Sequence, residues 1–236
     1  MIKSIALAIF ILTTGSMVQG AEPAVRTATL FEQQFPLTTK VLTADFPQDL
    51  RALQQAFSEI DRSEVSPPIK LHRAFQSLTA LRKVYSDKLQ YARADMSALL
   101  VLGLAGFYDS VLQRDGADVC GGFAVDGAGA LFALGRSAGY GKELDVQAAA
   151  YFAAVASALE DPDVVGQASE ADWAEVMGQV VARGNPASYI ATMEEGRAED
   201  PDLCPALAAF FYVLADMDSD AGKRARAELI QGLTGY

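Results

Sequence analysis

Histidine and tryptophan each occur once in the 236 residues, and cysteine twice. Zinc sites, Cys–His and Ser–His nucleophilic centres and thiol redox pairs are built from histidine and cysteine, so little material exists for them. No C-x-x-C or C-x-x-C-H spacing is present, which excludes a thioredoxin-like redox motif and a covalently attached c-type haem. Basic residues are also short. The chain has 19 Lys and Arg against 30 Asp and Glu, for a net charge of −11 and a pI of about 4.5. That balance disfavours a duplex phosphate backbone or an anionic membrane surface, so no nucleic acid is expected as a partner. The glycine motifs for nucleotides are incomplete. Gly127-x-Gly129 follows the short apolar run Phe123-Ala124-Val125, but the third glycine position holds Phe132, and no Gly-Lys-Ser/Thr occurs. No cofactor and no metal ligand set is assigned.

What the chain does have is apolar mass. It is 51% hydrophobic and 21% charged, enough for one sizeable core, which excludes a disordered or collagen-like chain. Its N-terminus carries the three parts of a secretory leader. Lys3 supplies the positive charge, residues 5–12 form the apolar run, and Val18-Gln19-Gly20 precedes the expected cut before Ala21. The run is far below the ~20 apolar residues a membrane span needs. No cysteine lies near the cut to take a lipid. Residues 1–20 are therefore expected to leave, with no transmembrane anchor remaining and a periplasmic or secreted product. Lys3 leaves with them and no acid does, so 18 basic and 30 acidic residues remain, a net charge of −12. Abundant alanine, with 12 Arg to 7 Lys, is the composition of a GC-rich bacterial genome.

Export makes the cysteines informative. Cys120 and Cys204 are the only possible pair, and an oxidising compartment predicts that they are bonded.

Alanine and leucine total 66 residues against 35 for valine, isoleucine and threonine, which favours helix over sheet. Residues 21–46 are the expected exception. Thr27, Thr29, Thr38, Thr39 and Thr43, with Pro23 and Pro36, predict an extended or irregular lead-in. From Pro47 a single helical domain, 47–236, is expected, with seven or eight helices in an irregular array. Leu50, Leu53, Phe57 and Ile60 follow Pro47 at helical spacing, and residues 63–68 break that helix. The long periodic stretch that follows should split near Ser86 or at 93–95. The glycine-rich segment 114–141 predicts a loop and then a short helix at 128–137. Ser169 with Asp172 reads as a capping box, and Gly184 and Gly196 read as helix stops. Three stretches carry no charge, 96–108, 146–159 and 203–215, and suit central helices.

The candidate chemistry is weak throughout. Asp216-x-Asp218-x-Asp220 has the spacing of a calcium loop, but Ala221 and Ala227 stand where glycine and the bidentate glutamate belong. Asp residues between two helices explain the pattern better. Lys223, Arg224 and Arg226 are expected to pair with those acids. His72 reads as a surface or boundary residue. Glycan cleavage can run on carboxylates alone, and Glu143, Glu160, Glu170, Glu175, Glu194 and Glu195 are available, but their spacing selects no general acid. Trp173 and Phe210-Phe211-Tyr212 read as core, while Tyr108, Tyr140, Tyr151 and Tyr189 are candidates to line an apolar groove. The expected function is a non-catalytic envelope module that binds another envelope protein or a small apolar ligand. The alternatives are a glycan-cleaving hydrolase and a structural subunit of an envelope complex.

Overall fold

A computed structural model describes residues 27–232, so the expected leader at 1–20 lies outside the described residues. Among the described residues there are eleven α-helices, two 3₁₀ turns and no strand. The helix count exceeds the seven or eight expected, in part because the described part of the segment read as irregular, 27–46, is helical. There α1 (Thr27–Gln34) and α2 (Pro36–Asp45) form, with Phe31, Phe35 and Leu42 buried. Pro36 starts a helix here instead of breaking one, since its missing N–H falls where no intrahelical partner exists. A carboxylate elsewhere in the chain accepts from the first free N–H groups of α2. The buried Asp145 accepts from the Leu37 and Thr38 amides at 2.9 and 2.8 Å and from the Thr38 hydroxyl at 2.8 Å. Asp61 accepts from the Thr27 amide at 2.8 Å.

From Pro47 the expected punctuation appears. Helix α3 is Pro47–Arg62 and α4 is Pro67–Tyr85. A 3₁₀ turn, Ser86–Tyr91, and the extended Ala92 and Arg93 then divide the long periodic stretch at both expected places. Helix α5 (Ala94–Asp126) runs through the segment expected to be a loop. It bends at Gly116, whose φ of +82° only glycine takes without strain, and resumes until Gly127. Tertiary contacts override glycine's low helix propensity there. A Cβ on Gly121 would lie 1.8 Å from the Ala198 carbonyl oxygen, so this glycine is where the chain near residue 198 meets the helix backbone. Then come α6 (Ala128–Ala133), shorter than the predicted helix, a 3₁₀ turn (Ser137–Tyr140) and α7 (Gly141–Glu160). Last are α8 (Glu170–Ala182), α9 (Ser188–Glu195), α10 (Leu203–Asp216) and α11 (Asp220–Gln231).

The three uncharged stretches lie in α5, α7 and α10, and α5 is the common neighbour of the other two. Leu100, Val101, Leu104 and Tyr108 of α5, Tyr151, Phe152 and Val155 of α7, and Phe211 and Leu214 of α10 are buried. Each large apolar side chain so buried contributes about 1.5–3 kcal/mol relative to exposure. Helices α5 and α10 run antiparallel. Cys120, late in α5, is bonded to Cys204 at the start of α10, 84 residues away, with Cα atoms 6.0 Å apart. At the other end, Ser97 of α5 and Leu214 of α10 both meet Arg226. Among the described residues α5 alone is long and apolar enough to cross a membrane. Its most apolar window is 44% buried, and the disulfide ties it to α10, as befits the core helix of a globular domain.

Candidate functional site

Packing covers most of α5 and α10 but leaves one stripe of each uncovered. On α5 the stripe runs through Asp95, Leu99, Leu102 and Asp109, at helical spacing; on α10 it runs through Pro205, Ala209, Tyr212 and Asp216. Leu99, Leu102 and Tyr212 are 47%, 45% and 40% exposed, which places three large apolar groups together on a water-facing surface. Two hollows adjoin there and share Arg183 and Tyr212. One, of about 480 Å³, is walled by Leu99, Leu102 and Ala215; the other, of about 380 Å³, by Leu112, Pro205 and Ala209. Together they form an open apolar trough, with the end of α8 as its third side.

Charge sits on the rim. The Tyr212 hydroxyl donates to Asp109 at 2.7 Å; this bond and partial burial push the phenol up to about 12. Arg183 donates to Asp216 at 2.7 Å. Arg93, just outside the lining, bonds Asp95 at 3.3 Å and holds its carboxyl below the usual range. The lining therefore holds Asp95, Asp109 and Asp216 against the single cation Arg183.

The residues singled out in the sequence mostly lie elsewhere. Tyr108, Tyr140 and Tyr151 line no groove, because all three are buried. Tyr108 stacks on Phe211, Tyr140 donates to Asp115, and Tyr151 donates to the Arg82 carbonyl beneath the Arg82 guanidinium. Tyr189 is half-buried on α9 and lines neither hollow. Phe210 and Phe211 are core as expected, and the half-buried Trp173 stacks on Phe210, but Tyr212 is the exposed member of that run.

The basic cluster is also rearranged. Lys223 keeps its local acid, Asp220, at 4.0 Å. Arg224 instead reaches Asp172 of α8 with two bonds, at 3.0 and 2.6 Å, holding that carboxyl well below its ordinary range. Arg226 is buried, and its guanidinium donates to the carbonyls of Leu214 and Met217. Those are orphan acceptors at the negative end of α10, so the cation closes a helix terminus. Burial lowers its pKa.

Asp216 is taken by Arg183, and among the described residues no three His, Cys, Asp or Glu side chains gather where a metal ion could sit. His72 is half-buried with its ring edge on Phe132 and no hydrogen bond at Nδ1. Glu143 pairs with Arg114, Glu195 with Arg197, and Glu175 accepts from the Ser219 hydroxyl. None of the six glutamates lines the trough.

Sequence reasoning missed Arg183 and the outward side of α5. One signal was available: Leu99 and Leu102 fall in an uncharged stretch together with Ala98, and Asp95 and Asp109 continue the same helical stripe. A helix apolar on nearly every side does not announce which side stays open.

Among the described residues, fold and trough together define an all-α, disulfide-tied domain with an open apolar face between two antiparallel helices. No family model, curated protein or solved structure matches the chain.

Proposed function

We propose that the mature chain is a non-catalytic binding module of the bacterial cell envelope, working in the periplasm or after secretion. It would hold another envelope protein or a small apolar ligand in the α5–α10 trough. The observation that carries this reading is the grouping of Leu99, Leu102 and Tyr212 on one exposed surface with a hollow on either side of Tyr212. Apolar groups gathered at a concave surface lower their free energy by being covered. The leader pattern and the Cys120–Cys204 pair support export. A carboxylate hydrolase gains no comparable support. Glu143 and Glu195 are paired with Arg114 and Arg197, and none of the six candidate glutamates lines the trough.

The test places a photo-crosslinking amino acid at position 102 and, separately, at Val84, which is 68% exposed on α4 away from the trough. Irradiated living cells should give a discrete adduct from position 102 and none from position 84. Equal adducts from both, or none from 102, would contradict the proposal.

A further inference from the structure

The charge around the trough narrows what fits it. The α10 stripe is apolar and without a basic residue, yet acids stand at both its ends: Glu199, Asp200 and Asp202 before it, and Asp216, Asp218 and Asp220 after it. On the α5 side Asp95 and Asp109 bracket Leu99 and Leu102 in the same way. Arg183, Arg93 and Lys223 answer Asp216, Asp95 and Asp220, and the surplus remains negative. The distance between the acidic ends is set by the helix itself. From Asp202 to Asp216 is roughly 21 Å at 1.5 Å per residue, which a second helix of about 14 residues would match.

We infer that the trough is a docking site for a cationic amphipathic helix of about four turns, with its apolar stripe on Leu99, Leu102 and Tyr212 and its Lys or Arg residues against the acids at either end. This rests on the trough being a binding face and names the chemistry of its occupant. Charge decides among the alternatives. A second copy of this chain would bring the same acids to the same ends, and an anionic lipid surface would be repelled by them. A cationic helix covers the leucines and neutralises the rim together.

Binding of synthetic peptides to the purified mature protein tests this. One peptide carries leucines on one face and lysines at both ends. A second replaces each lysine with glutamate, and a third keeps the composition of the first but scrambles the order so that no apolar face forms. The first should bind at least ~tenfold more tightly than either control and should weaken as salt rises from about 50 to about 500 mM. Leu102→Lys should weaken it ~tenfold, and Val84→Lys should leave it unchanged. Both positions are exposed, so circular dichroism should show both variants folded. Equal binding of the glutamate peptide would overturn the inference, as would cationic binding indifferent to Leu102→Lys, which is adsorption to an acidic surface. Self-association abolished by Leu102→Lys would make a second copy the occupant and also overturn it. If the peptides fail while position 102 still crosslinks in cells, the trough remains a binding face and only its assigned chemistry falls.

Discussion

Helix α2 obtains an acceptor for its first N–H groups from 108 and 107 residues away, at Asp145. Helices α8 and α11 obtain theirs from the adjacent Ser169 and Ser219, which accept from the Asp172 and Gly222 amides at 3.2 Å. The physical demand is the same, since every helix starts with unpaired donors. A local cap makes a helix start that belongs to its own segment. A distant cap makes it conditional on the rest of the fold, so α2 depends on α7 being in place. The C-terminal side has a further tie that the N-terminal side lacks, the bond from Cys204 back to Cys120.

Removing that tie should have the largest effect. Cys120→Ala with Cys204→Ala frees a loop of 84 residues, a loss on the order of 4–5 kcal/mol in the chain-entropy model. Denaturant unfolding of wild type and the double variant measures it. A loss below about 1 kcal/mol would show that packing alone holds α10 on α5.

Asp145→Ala should cost about 3 kcal/mol, because one buried and one partly buried amide and a buried hydroxyl lose a charged acceptor. Hydrogen exchange should localise the damage, with Leu37 and Thr38 losing protection while α8 and α11 keep theirs. Uniform loss across both ends would erase the contrast between them.

Two residues along α7, Gln147 is equally buried but makes no hydrogen bond with either end of its amide. Gln147→Met should therefore raise stability by about 1 kcal/mol, read as an increase in Tm. A fall in Tm would mean that the amide is satisfied.

Ser169→Ala removes a local cap and should cost about 1 kcal/mol, confined to α8. Beside it, Asp172 gives the contrast a pH signature. Its folded pKa is drawn below the unfolded value of about 3.9 by Arg224 and by Ser169. Its contribution is therefore complete above that value and is lost as pH falls through the folded one. Wild type should exceed Asp172→Asn by a constant margin above about pH 5, and the margin should shrink below about pH 4. A margin unchanged down to pH ~2 would exclude the ion pair as its source.

The same division explains what could be read in advance. Starts at Pro47 and Ser169 were legible because the signal, a first-turn proline or a capping box, lies next to the helix it opens. The central helices were legible because a stretch without charge belongs inside. Helices α1 and α2 were not, since their threonines and Pro36 argue for irregular chain and the carboxylate that caps α2 lies beyond any local window. The helix after Gly116 was hidden for a related reason. Its glycines permit a bend and a close approach to Ala198, which only the folded chain reveals. Arg226 looked like one of three surface cations, and nothing near it in sequence marks it as the buried cap of α10. Of the trough, Leu99 and Leu102 were visible as residue types, but which side of α5 stays open depends on where α7 and α10 settle.

Cysteine accessibility tests the central claim, an exported chain with an occupied trough, most directly. A cysteine is placed at Leu102 or at Val84, and a maleimide that cannot cross the inner membrane is applied to intact cells and to purified protein. Both positions should label fast in the purified protein. In cells, position 84 should label as fast and position 102 much more slowly, because a partner covers it. Equal labelling in cells would contradict an occupied trough, and labelling of neither until the cells are lysed would contradict export.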